Sequence, residues 1–184
     1  MGGAPAGQGD ARPPRPGTEA MADAIAPVDE TMLRRAFDVA RRAQERGNHP
    51  FGAILVGPAG DVLLESENGY LPGRDMTAHA ERLLATRACT SYSPEFLASC
   101  TMYTSAEPCA MCAGAAYWAG FGRVVYGLSE SRLRQITGNH PENPTLDVPC
   151  RLVFAGGQRR VEVVGPLLED EAAALHLAAW RRDA

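Results

Sequence analysis

Two short segments, thirty residues apart, constrain this chain more than anything else in it. Thr77-Ala78-His79-Ala80-Glu81 opens one expected helix, and Glu107-Pro108-Cys109-Ala110-Met111-Cys112 opens the next. Cys109 and Cys112 stand at i and i+3, so their sulfurs share one helix face. A helix N-terminus carries partial positive charge, which favours thiolate over thiol. Pro108 suits the first helical position, where its missing N–H has no helical partner. A fold that uses both segments must bring two helix starts together. Two thiolates and one imidazole nitrogen are then three ligands for zinc. Three protein ligands leave a fourth position open, which marks catalysis rather than a structural clip.

A structural zinc site would need a fourth ligand. Cys89, Cys100, Cys150 and three other histidines are available, but none sits in a second paired motif. Cys89 and Cys100 read as small core residues. Glu81, two residues after His79, is the other half of the argument. Zinc lowers the pKa of its water to about 7, so a nearby carboxylate can take that proton and hand it on. A solvated Glu in a first helical turn is the bland reading, and it would win if Glu81 stood alone.

Composition removes other chemistries. All 18 basic residues are Arg, which excludes a Schiff-base lysine and a phosphate-loop lysine. Against 22 acids they leave a formal charge of −4, which disfavours a tight polyanion binder. The five cysteines are odd in number and no signal-like stretch opens the chain, so a reduced, cytoplasmic setting is expected. No apolar run approaches the ~20 residues of a membrane span.

Residues 1–27 hold five Gly and five Pro with almost no large apolar side chains, and are expected to be a disordered tail. Residues 28–184 form one domain. Within it, the patterns predict a helix from Asp29, which can cap it, to about Arg46, then strands Phe51–Val56 and Val62–Glu67 joined as a hairpin. Next come helix Ala78–Cys89, strand Cys100–Thr104, helix Cys109–Ala119 and strand Val124–Leu128. An irregular stretch over residues 129–148 follows, then a short helix Leu152–Ala155, strand Val161–Val164 and helix Leu168–Trp180. This order predicts an α/β fold in three α-β-α layers around a mixed five-stranded sheet, with ligands at strand ends.

H-x-E followed by P-C-x-x-C is the signature of zinc deaminases that act on cytosine or adenine. The chain resembles the cytidine deaminase-like superfamily over most of residues 28–184. The likeness runs through Pro50-Phe51-Gly52-Ala53, Asn68, Thr77 to Glu81, Thr104 to Gly114, and Gly122 to Gly127. Within it, Tyr103 to Cys109, Tyr117-Trp118-Ala119 and His140-Pro141-Glu142-Asn143-Pro144 are similar to the bacterial guanine deaminases.

The resemblance implies one zinc ion per chain, with a bound water, held by His79, Cys109 and Cys112. It implies Glu81 as proton carrier and Glu142 as a second proton shuttle serving the departing amine. It also implies a base site formed by Asn68, Phe51, Ala80 and Trp180, and hydrolysis of guanine to xanthine with release of ammonia by a homodimer. Read from the residues alone, Asn68 is as readily a turn residue, Phe51 and Trp180 pack in the core, and Glu142, His49 and His140 are solvated or structural. The small, apolar helix from Ala110 to Ala119 suits a dimer interface. A tRNA adenosine deaminase would need a basic rim, against the acidic balance. A deaminase of another aminated heterocycle or nucleoside, and a zinc-stapled binding module without turnover, are the remaining alternatives.

Overall fold

A computed structural model describes residues 25–138 and 140–180. The tail expected over residues 1–27 lies, up to residue 24, outside the described residues. The elements are α1 (Asp29–Glu45), β1 (Gly52–Val56), β2 (Val62–Glu67), α2 (Ala80–Ser91), α3 (Pro94–Leu97), β3 (Thr101–Ala106), α4 (Ala110–Ala119), β4 (Arg123–Leu128), α5 (Glu130–Thr137), α6 (Cys150–Ala155), β5 (Glu162–Val164) and α7 (Glu169–Ala179).

The strands form one sheet in the order β2-β1-β3-β4-β5. β1 is antiparallel to β2 and to β3, while β3, β4 and β5 run parallel. The parallel pairs need crossovers, which α4 and the α5–α6 segment supply. β1 (GAILV) is buried along its whole length, as expected of a strand covered on both faces. Its side chains alternate between two cores. Ala53 and Leu55 pack with Met102, Val124 and residues of α2 and α4, including Leu84 and Ala116. Ile54 and Val56 pack with Tyr103, Val125 and residues of α1 and α7, including Phe37 and Leu175. The three expected layers are therefore present, with α2 and α4 side by side. Gly52 allows the close seating of α1, because a Cβ there would lie 2.4 Å from the Ala40 backbone nitrogen. Among the described residues no helix is long and apolar enough to cross a membrane.

Several local expectations change. Asp29 does not cap α1; Val28 holds that position. The Asp29 carboxylate is fully buried and accepts two hydrogen bonds from Arg123, at 2.7 and 2.8 Å, and one from the Tyr103 hydroxyl at 2.9 Å. An arginine entering the sheet at β4 is the stronger attraction. α2 and α4 each begin one residue after a presumed ligand. His79 and Cys109 are the N-caps, with extended backbone (ψ 145° and 169°), so Pro108 falls just outside its helix. The stretch expected to be irregular contains α5, started by Ser129, whose hydroxyl accepts from the Arg132 N–H. The sequence pattern predicts no helix at α3, which Ser93 caps and Pro94 begins. Cys89 is exposed rather than in the core.

Candidate metal centre

The path into the site starts at the end of β2. The Gly69 N–H donates to the Ala78 carbonyl at 2.9 Å, which ties this strand end to the loop before α2. On that loop the Asp75 carboxylate accepts the Thr77 N–H at 2.8 Å and its hydroxyl at 2.7 Å. The turn thus formed delivers His79 to the mouth of α2. β3 leads Cys109 to the mouth of α4 in the same way, and Cys112 follows one turn on.

The His79 Nδ1 lies 3.6 Å from the Cys109 Sγ and 3.5 Å from the Cys112 Sγ. The three donor atoms fall within 4.8 Å of one another. In a tetrahedral site with Zn–N of about 2.05 Å and Zn–S of about 2.3 Å, nitrogen and sulfur stand about 3.6 Å apart. The donor set therefore fits zinc in spacing as well as in chemistry. Cys112 is buried, and the other two are half-buried. The hydrogen bond from Cys112 and the neighbouring His79 bring the Cys109 pKa down to about 4, while the bond to Cys109 raises His79. Both effects prepare a thiolate.

Glu81 faces this trio, with a carboxylate oxygen 3.8 Å from the Cys112 sulfur. It is only 4% exposed, and burial pushes its pKa up to about 7, against the pull of His79. A carboxyl poised there can both take and return a proton near neutral pH.

Glu107 carries a role that the motif alone does not reveal. One carboxylate oxygen accepts the Glu130 N–H at 3.1 Å and the other the Cys150 N–H at 2.9 Å. A single buried acid thus caps α5 and α6 together, next to Cys109. Glu130 is itself buried, and desolvation pushes its pKa up to about 8.

Of the remaining expected residues, Asn68, Phe51, Trp180 and Glu142 gather around one aromatic cluster, and Ala80 does not. Asn68 is buried; its N–H donates to the Phe51 carbonyl and its side-chain oxygen accepts the Tyr70 N–H, both at 3.0 Å. Phe51 lies 4.9 Å from the His176 ring and 6.5 Å from Trp180. Trp180 donates its indole N–H to His176 Nδ1 at 3.1 Å. His176 is fully buried, and burial drops its pKa to about 3, so it is neutral. Glu142 meets His49 at 3.0 Å and the Tyr70 hydroxyl at 3.4 Å. The bond from His49 holds its carboxyl below the usual range. Ala80 is fully buried in the core under α2. His49, Tyr70 and His176 carried no sequence signal that separates them from solvated or core residues.

Two helix mouths delivering one imidazole and two thiolates beside a buried carboxylate define the class: a zinc-dependent deaminase, a hydrolase of C–N bonds. The chain belongs to the cytidine and deoxycytidylate deaminase family, whose zinc-binding region matches residues 27–128. A probable cytosine deaminase of Schizosaccharomyces pombe is 40% identical over 154 residues, 83% of this chain and 92% of that protein. Guanine deaminase of Bacillus subtilis is 41% identical over 98 residues, 53% of this chain and 62% of that protein. A solved guanine deaminase from Nitrosomonas europaea superposes with a TM-score of 0.67 at 28% identity, covering 85% of each chain.

Proposed function

We propose that the protein deaminates a free nucleobase, converting guanine to xanthine and ammonia. The observation that carries this reading is a second carboxylate, Glu142, held ionised by His49, whose ring stacks with Tyr70 and Trp180. The likeness to the Nitrosomonas guanine deaminase supports it. His79, Cys109 and Cys112 are the residues that hold zinc. Zinc, when bound, supplies the Lewis acid that makes water nucleophilic near neutral pH.

Glu81 takes one proton of the attacking water and returns it to the ring nitrogen beside the amino-bearing carbon. Glu142 takes the second proton, from the new hydroxyl, and passes it to the exocyclic nitrogen. The C–N bond then breaks, the carbonyl forms, and ammonia leaves with both water protons accounted for. Asn68 has its oxygen engaged by the Tyr70 N–H, so its NH2 is the group that donates to a base acceptor. Phe51 and Trp180 wall the base.

A cytosine substrate is the second reading, favoured by the fission-yeast relative matched over 92% of its length. A second copy of this chain is the proposed partner. Trp118 on α4 is 86% exposed and Leu152 on the adjacent α6 is 65% exposed, an apolar pair that suits a symmetric interface. The test is ammonia release from zinc-loaded protein offered guanine, cytosine, adenine, the matching nucleosides and a tRNA anticodon stem-loop. Guanine should give the highest kcat/KM. Release from cytosine alone would keep the chemistry and replace the substrate; release from none would overturn the proposal.

A further inference from the structure

Glu142 sits in the loop between α5 and α6, and its side chain is 40% exposed. A glutamate in such a loop would ordinarily sample several rotamers, at a cost of ~2 kcal/mol to fix. Its partner is built differently. His49, in the turn before β1, is 15% exposed and lies between two rings. Tyr70 is 4.8 Å away with planes 23° apart, and Trp180 is 5.1 Å away with planes 30° apart. Two separated pieces of chain, the loop after β2 and the end of α7, therefore each stack a ring on one imidazole. Turning the ring would break both stacks, and its Nε2 lies 3.0 Å from Glu142 Oε2. Among the described residues the other oxygen, Oε1, meets the Tyr70 hydroxyl at 3.4 Å, which is long for an O–H···O bond. Around them, Arg74 Nε donates to the Tyr70 hydroxyl at 3.3 Å and His140 Nδ1 accepts the Glu142 N–H at 3.3 Å.

We infer that His49 is a positioning residue for the reaction: clamped between Tyr70 and Trp180, it fixes Glu142 through one carboxylate oxygen so that the other meets the departing amine. This rests on the proton-shuttle role proposed for Glu142. His49 touches neither substrate nor metal; it acts through the carboxylate. The arrangement also gives the C-terminal end of α7 a part in the chemistry, because Trp180 is one jaw of the clamp.

Three variants separate holding from packing. His49→Phe keeps a ring in the stack and removes the hydrogen bond; His49→Gln keeps a donor and removes the ring; His49→Ala removes both. With guanine, or cytosine if the screen selects it, His49→Phe should fold as the wild type does and lower kcat about 10- to 100-fold, the scale of a misplaced group. KM should stay within about threefold, and His49→Gln should recover part of the loss. In a Glu142→Gln background, His49→Phe should cost nothing further, since the two residues act as one unit. The long-range 15N spectrum of the ring gives a second readout, free of turnover, in a chain with four histidines. Glu142→Gln should move the His49 Nε2 resonance. Wild-type kcat in His49→Phe, losses that multiply in the double variant, or an unmoved Nε2 resonance would overturn the inference. Wild-type kcat in Glu142→Gln alone would instead remove the shuttle on which it rests.

Discussion

Replacing Glu107 by Gln should unfasten two helices at once. The carboxylate accepts the first N–H of α5 and the first N–H of α6, at 3.1 and 2.9 Å, and is 6% exposed. Glutamine keeps one acceptor. Its NH2 must face the other backbone N–H, donor against donor, and a buried amide left unpaired costs about 1–3 kcal/mol. The retained bond loses its charge, and each helix N-terminus loses an anion worth about 0.3–1 kcal/mol. Together the change comes to about 3 kcal/mol. For a domain of this size each kcal/mol moves Tm by about 2–4 °C, so the midpoint should fall by about 6–12 °C. The assay is thermal unfolding followed by circular dichroism at matched zinc content, because lost metal would lower Tm by mass action. A shift under about 2 °C with zinc retained would show that the two caps carry little of the fold's stability and refute the reasoning.

Three further outcomes are expected. Glu81→Gln should keep its zinc, by metal analysis, yet lose about 10²- to 10⁴-fold in kcat; wild-type turnover would remove Glu81 from proton transfer. After chelation, iodoacetamide at pH 6 should modify Cys109 before the more exposed Cys89, because the Cys109 pKa is held near 4. Mapping by mass spectrometry, with zinc protecting Cys109, checks the order, and Cys89 reacting first would contradict it. Asp29→Asn should cost about 3 kcal/mol at neutral pH, the low end for a broken buried pair, since Arg123 keeps Glu162 at 3.0 Å. Burial raises the Asp29 pKa, but Arg123, Ala26 and Tyr103 outweigh it, so the pKa in the folded protein is lowered. Its contribution is present above the unfolded value near 4 and is lost as pH falls through the folded one. The gap between variant and wild type in urea unfolding should therefore close in acid; a gap independent of pH would assign the loss to packing.

The candidate ligand trio and its carboxylate neighbour are legible from local spacing, because Cys-x-x-Cys and His-x-Glu are settled within one helical turn. Most of the elements are legible in the sequence for a similar reason: the stripe of α1 and the apolar run of β1 are local patterns. Tertiary structure alone decided what crosses long distances in the chain. Asp29 looked like a cap until Arg123, 94 residues on, drew it into the core. Glu107 looked like part of a motif until two later helices placed their first amides on it. His49 reads as a solvated turn residue, but rings from the loop after β2 and the C-cap of α7 stack on it and Glu142 meets it from 93 residues away. Periodicity and spacing report forces that act over a few residues. An ion pair or a clamped ring draws its energy from partners that only the packed sheet and its helices bring within reach.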